Sequence, residues 1–316
     1  MIAALWTHWV RLLDRREAPD VLALVRIGVA AVLLSDYLTV WRLGLVPALM
    51  AGADAGGLAH ASGNPWADWI GADLRGAWLL EAGLVGASAA LMVGLGSRAA
   101  AVALMLLSTQ WAMLLPEGDR AIDMLLRNVL LVLAFSRAGA TWSVDARLRT
   151  GSWRGDGAPV PAWPRYVLVL QVVVMYFTAG VQKYGQHWWP WGGYSGLYVI
   201  LHDWSYASHA FGWIRHQPFF LGTQLATAVT MLWQWTYPVV LVHYFPPRRP
   251  GRFAAAFERW HLHWAWIAVG AFFHVGIAVT MQLGIFPWGM LAVYPAFLHP
   301  DELRGLWGRV RAATAR

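Results

Sequence analysis

The stretch PRYVLVLQVVVMYFTAGVQKYGQHWWPW, Pro164 to Trp191, decides the fold. From Val167 to Val181 it carries no charged side chain, and with its flanks it runs for about 20 residues. At 1.5 Å per residue an α-helix of that length crosses a hydrocarbon core of roughly 30 Å. Lys183 stands where this helix leaves the apolar region, and it is the only lysine in the chain. A lysine there can snorkel, laying its methylenes along the helix and its ammonium among headgroups. It can also face the bundle interior, where loss of solvent favours the neutral amine and makes a usable base. Arginine, which fills the other anchoring positions, stays protonated across the accessible range and cannot be that base. An ordinary lysine near pKa 10.4 is neutral in only about one molecule in a thousand at pH 7.5. A basic role therefore asks for a value near 8, a change of about 3 kcal/mol. Partial burial and a nearby cation would supply it, with Arg127 as the candidate cation.

Outward from this span, seven further apolar runs lie at roughly 21–41, 76–95, 99–115, 122–136, 221–245, 262–284 and 286–299. With 165–183 they make about eight candidate spans, in a chain that is 58% hydrophobic and only 13% charged. Such a composition predicts an all-α, polytopic transmembrane helix bundle. Many of the 22 tryptophans flank the runs, as interfacial belts require. The mixed, aromatic segment 190–220 is expected to hold interfacial or re-entrant helices. Residues 1–19 read as an amphipathic helix lying on the membrane, and 300–316 as a basic amphipathic tail. No cleavable signal peptide is visible. The chain has no cysteine, which excludes disulfides, thiol nucleophiles and thiolate metal sites. Its net charge of +7 is spread over short loops and forms no basic stripe, so nucleic acid is not an expected partner. The lipid bilayer is.

Arginine placement sets the orientation. With the N-terminus in the cytoplasm, the inner segments hold Arg11, Arg15, Arg16, Arg98, Arg137, Arg147, Arg149, Arg154, Arg165, Arg248, Arg249, Arg252, Arg259, Arg304, Arg309, Arg311 and Arg316. The outer segments hold Arg42, Arg75, Arg120 and Arg215. Seventeen against four predicts cytoplasmic N- and C-termini and an even number of spans. The outer loops are mildly acidic, with Asp54, Asp68, Asp73, Glu117, Asp119 and Asp203. This topology puts Asp36, Glu81, Asp123, Lys183 and His274 at or above mid-membrane on the outer side, and Arg26 near the inner face. Ionisable groups are costly in lipid and are functional candidates by default. Arg127, at i+4 from Asp123 on the same face, is its expected partner, and that pair could simply staple helices.

RIGVAAVLLSDY, VGLGSRAAAVALML, FSRAGATWSVDARL, QVVVMYFTAGVQKYGQHWWPWGGYSGLY and FFHVGIAVTMQLGIFPWGMLAVYPAF together resemble the HTTM family, the membrane domain of vitamin K-dependent γ-carboxylase and of many bacterial proteins. The resemblance makes 20–299 an HTTM-like transmembrane domain. It implies that Lys183 is the base that deprotonates a quinol, with His274 and Asp123 as further catalytic candidates. Arg127, Asp36, Tyr176 and Trp188 become candidates for binding a reduced quinone such as vitamin K hydroquinone or menaquinol. No metal is expected. The resemblance further implies a multi-pass protein of a bacterial inner membrane whose active face is periplasmic, with lyase or quinol-epoxidase chemistry. Two features depart from the carboxylase. Its Asn-Asn-His run is replaced by RAIDMLLR, with Ile122 at the place of the histidine, and the chain stops before the large lumenal domain that holds the protein substrate. The alternative function is therefore a non-enzymatic membrane partner in maturation of, or immunity to, a secreted peptide, with a small peptide or a separate soluble subunit as partner.

Weaker signals point elsewhere. His202, His209 and His216 recur every seven residues, and on one helix two turns would separate neighbours by about 10.5 Å, too far to share a metal. Trp260-His261-Leu262-His263 opens a span and reads as interfacial. GLGSRA follows no strand and is a turn between helices, not a nucleotide loop.

Overall fold

A computed structural model describes residues 2–60, 63, 69–70, 72–247 and 251–305. Arg248, Arg249, Asp68 and everything after Gly305, including Leu306, Trp307, Val310, Arg309, Arg311 and Arg316, lie outside the described residues. The main helices are α1 (Ile2–Leu13), α2 (Asp20–Arg42), α3 (Leu74–Val93), α4 (Ser97–Leu114), α5 (Ala121–Phe135), α6 (Trp163–Val181), α7 (Phe219–Thr236), α8 (His263–Thr280) and α9 (Phe286–Val293). The fold is all-α. Among the described residues the strands are two residues long, Arg16–Glu17 paired with Val160–Pro161. Six of the eight apolar runs correspond to one helix each, displaced by a few residues, and the runs 221–245 and 286–299 are each broken by a 3-10 segment.

Among the described residues five helices are long and apolar enough to cross a membrane: α2, α3, α6, α8, and α7 with its continuation to Tyr244. The remaining runs fall short for local reasons. α5 has 15 residues, about 22 Å of helix against a core of roughly 30 Å. α4 has the length but carries Arg98, Ser108, Thr109 and Gln110. The run 286–299 breaks into the eight residues of α9 and a 3-10 turn, Tyr294–Phe297. Pro295 lies in that turn and lacks the N–H that a continuing α-helix would use. Pro238 likewise turns the end of α7 into a 3-10 segment, Tyr237–Val240.

The chain forms two compact units, the larger part of one being Leu13–Arg165. Within it α2 packs on α3, α3 on α4, α4 on α5, and α5 returns to α2. The turn between α3 and α4 is fastened from two sides. The last carbonyls of a helix lack intrahelical donors. Here the buried Arg26 guanidinium supplies them, bonding Leu91 O at 2.8 Å and Met92 O at 3.0 Å, and it reaches Trp142 O at 2.6 Å. At the facing N-terminus of α4, Asp145 accepts from Gly96 N, Ser97 N and Ser97 Oγ at 2.7–2.8 Å. Gly94 makes the close approach practicable. It has φ +73, and a Cβ there would meet the Arg26 guanidinium and Ser143. The strand pair is closed by a buried ion pair, Arg165 to Glu17, at 2.8 Å. Arg165 is thus an internal structural residue, where sequence reading had it as one of the inner loop arginines.

The other unit comprises Met1–Leu12 and Tyr166–Phe297. α1 ends at Leu13, short of the expected 1–19, and exposes Trp6 and Trp9. α8 packs on α9 and α7, and the short helix Gly196–His202 packs on α7. The segment 190–220 holds that helix and two 3-10 turns, Pro190–Gly192 and Gly212–Arg215. His202, His209 and His216 therefore do not share one helix.

Candidate functional site

α6 ends at Val181, and Lys183 sits in the turn that follows, its backbone N–H on Gly180 O at 3.2 Å. The side chain is half-buried. Its Nζ donates to Ala179 O at 2.9 Å and to Gln234 Oε1 at 2.9 Å. Gln234 is a buried residue of α7, brought close because Gly180 has no side chain: a Cβ there would stand 2.9 Å from the Cβ of Gln234. Trp188 covers the amine, its ring centroid 5.0 Å from Nζ. The Trp189 indole N–H bonds Lys183 O at 3.1 Å and fixes the turn. Burial lowers the Lys183 ammonium to about 8. A basic role asks for a value of that size with Arg127 as the candidate cation, but burial is the cause here and Arg127 does not contribute.

Deeper in the same unit lies a buried polar chain. The Tyr176 hydroxyl is 2.5 Å from His274 Nε2 and 2.8 Å from the Tyr294 hydroxyl. Trp233 and Tyr237 pack on the Tyr176 ring, with centroids 4.5 and 4.6 Å away. Phenol hydroxyls and an imidazole nitrogen can each donate or accept, so the Tyr176 and Tyr294 hydroxyls and His274 Nε2 pair with one another in the buried interior. Gly270 leaves room for Tyr294, since a Cβ there would overlap that hydroxyl and the Trp233 ring. Tyr176 lies seven residues before Lys183, within α6 and more than one turn before that helix ends at Val181.

Asp36, Asp123 and Arg127 lie in the Leu13–Arg165 unit, and their pairing differs from expectation. Asp123 bonds Arg120, through the backbone N–H at 3.0 Å and the guanidinium at 2.8 and 3.0 Å. Arg120 also holds Asp36 at 2.6 Å. Arg127 is bound bidentately by Asp119 at 2.6 and 2.8 Å, and not by Asp123. The cause is direction. Helical side chains lean toward the N-terminus, so Asp123, in the first turn of α5, reaches back to Arg120, and Arg127 reaches back past it to Asp119. Burial works against the charge on Arg120, but its bonds to Asp123 and Asp36 prevail and raise it above the usual arginine value. Asp36, Arg120, Asp123 and Arg127 border a cavity of about 20 Å³, room for a single small molecule such as water. Nearby Glu81 is fully buried. No group of three or more histidines and carboxylates suited to a metal ion occurs among the described residues.

A family model described as the HTTM domain matches residues 15–301. The chain belongs to the HTTM family. No solved structure matches it. It is therefore a multi-pass membrane protein of the γ-carboxylase-related family, and the structure separates the tasks of its HTTM motifs. RIGVAAVLLSDY, GLGSRA and FSRAGATWSVDARL supply Arg26, Gly94, Ser97, Trp142 and Asp145, which fasten the turn between α3 and α4. The Tyr176–Trp189 and Phe273–Pro295 motifs supply Lys183, Trp188, Tyr176, His274 and Tyr294. Sequence reading missed Gln234, Tyr294 and the structural roles of Arg120 and Asp119. The available signal was weak: Gln234 is one of two amides in α7, a helix with no ionisable residue.

Proposed function

We infer that this HTTM protein is a membrane enzyme in which Lys183 acts as general base on the acidic O–H of a lipid-soluble quinol, at the outer face of a bacterial inner membrane. The observation that carries the reading is the only lysine of the chain, half-buried, held by two neutral acceptors and lowered to about 8. An amine beside the face of Trp188 offers a polar and an aromatic contact, which suits a ring bearing a hydroxyl. A bound quinol would supply the phenolic proton and the reducing equivalents. The chain's own part is to keep Lys183 Nζ oriented and largely unprotonated above pH 8, and to accept that proton. Tyr176, His274 and Tyr294 support the reading as a rigid floor to α6.

The test is incubation of the purified protein with reduced menaquinone or vitamin K in air, with mass spectrometric detection of an epoxide. Lys183→Arg keeps charge and anchoring but has no neutral form at accessible pH and so cannot accept a proton. It is expected to lower turnover by roughly 100-fold or more, as loss of a general base does, at unchanged expression. The wild-type rate is expected to rise as pH passes through about 8 and to level above it, because only the neutral amine is the base. Full activity of Lys183→Arg would return Lys183 to a snorkelling anchor. A modified peptide formed in the same incubation, when a candidate secreted peptide is added, would extend the substrate to peptides.

A further inference from the structure

The geometry around Lys183 points to a role for Gln234, and it rests on the reading of Lys183 as a base: we propose that Gln234 is the positioning residue that holds the amine through a neutral oxygen and aims its lone pair. A lysine nitrogen bound to two acceptors has a restricted set of free directions. Nζ gives one N–H to Ala179 O and one to Gln234 Oε1, both at 2.9 Å. In the neutral amine those are both of its N–H bonds, so the lone pair is left pointing away from α6 and α7. In the ammonium form the third N–H takes that direction. The same corner of the tetrahedron is thus where a proton is accepted and later released.

The amide at 234 matters for a second reason. A carboxylate of similar size would reach Nζ equally well, but its charge would hold the ammonium form. An apolar side chain would leave the amine with Ala179 O alone. Glutamine orients without adding charge. The elements packed around the amine add none either. α7 has no ionisable side chain. On the turn Gln186–Trp188 the titratable group is His187, which bonds the Ser195 hydroxyl at 2.7 Å. Tyr184, beside Lys183 in the turn, is exposed. No Coulombic partner contributes to the shift of Lys183 among the described residues. Gln234 itself is held between packed rings, with Trp233 against Tyr176 and Trp235 against Phe177 and Trp189.

Because the chain has one lysine, acylation of the 183-containing peptide reads Lys183 apart from the N-terminal α-amino group, the other reactive amine. Full-length protein in detergent would be acylated with a small active ester across pH 6–11, and the modified 183-containing peptide quantified by mass spectrometry. Three proteins are compared: wild type, Gln234→Glu and the near-isosteric Gln234→Met. The expected order of titration midpoints is Met below Gln below Glu. Gln234→Glu should lose about tenfold in labelling rate at pH 7.5, the effect of one pH unit of upward shift. Equal midpoints in wild type and Gln234→Glu would overturn the proposal for Gln234, as would a Gln234→Met midpoint above that of the wild type. The Met variant, neutral and of similar volume, gives the answer alone if Gln234→Glu fails to fold. A wild-type midpoint in the ordinary lysine range, with the variants still ordered as stated, would instead sink the base reading and leave the positioning contact standing.

Discussion

Single residues divide between those that hold the backbone and those that hold a proton. Arg26 belongs to the first group, although its place in an apolar helix marks it as a functional candidate. Its guanidinium answers three carbonyls of Leu91, Met92 and Trp142, and a buried carbonyl left unanswered costs more than the net value of the bond it loses. Arg26→Met is therefore expected to destabilise the protein by about 3 kcal/mol, seen as a lower midpoint in thermal unfolding in detergent. An unchanged midpoint would remove Arg26 from the fastening of the α3–α4 turn. Asp145 is the matching acid. Burial tends to raise its carboxyl, but the bonds from Ser97 and Gly96, with Arg26 nearby, outweigh that and hold it below the ordinary value. A depressed folded pKa gives stability above the unfolded value near 3.9 and loses it as pH falls through the folded one. Asp145→Asn should thus be less stable than wild type by about 1 kcal/mol at pH 7, and the gap should close below pH 4. A gap independent of pH would mean that the carboxylate charge is not involved.

At the scale of elements, helices are legible in the sequence and their meetings are not. A run of apolar residues fixes where a span begins and ends to within a few positions, because burying polar backbone in lipid leaves the helix as the available solution. Asp123 and Arg127 show where that legibility stops. Spacing of i and i+4 brought them together on paper, whereas the N-ward lean of helical side chains gives each a different partner, Arg120 and Asp119. Lys183 and Gln234 are 51 residues apart, and Tyr176 and Tyr294 are 118 apart, so no local period announces either contact. Gly270 is a similar case. In sequence it is one more small residue in α8, but in the structure its missing side chain is the space in which Tyr294 meets Tyr176. Gly270→Ala is expected to push Tyr294 off that bond and to cost about 1–3 kcal/mol by overpacking. The check is a fall in unfolding midpoint together with altered near-ultraviolet dichroism from the tyrosines and Trp233. A silent Gly270→Ala would show that the helices can part without loss.

For the whole molecule the remaining question is which face of the membrane Lys183 occupies, and the arginines can be recounted with the structure in hand. Arg165 is buried against Glu17 and no longer counts as a free inner charge. Arg120 is held by Asp36 and Asp123 and no longer counts as a free outer one. With Arg304 also paired to Asp20, the counts of seventeen and four become fifteen and three, and the asymmetry survives. That asymmetry predicts that the loop after Val144–Thr150 faces the cytoplasm and that the turn after α6 faces out. A chain without cysteine lends itself to a labelling test. Gly155 is a poor position, having φ +70 and no space for a Cβ beside Ala140 O. Ser152 and Trp204 are both exposed, and Ser152→Cys is a near-isosteric change. In intact cells an impermeant maleimide is expected to label Trp204→Cys, and to label Ser152→Cys only after permeabilisation. The reverse pattern would invert the protein and put Lys183 at the cytoplasmic face. A base on that side would meet quinols from the opposite leaflet and no exported peptide, so the orientation decides between substrates as well as between faces.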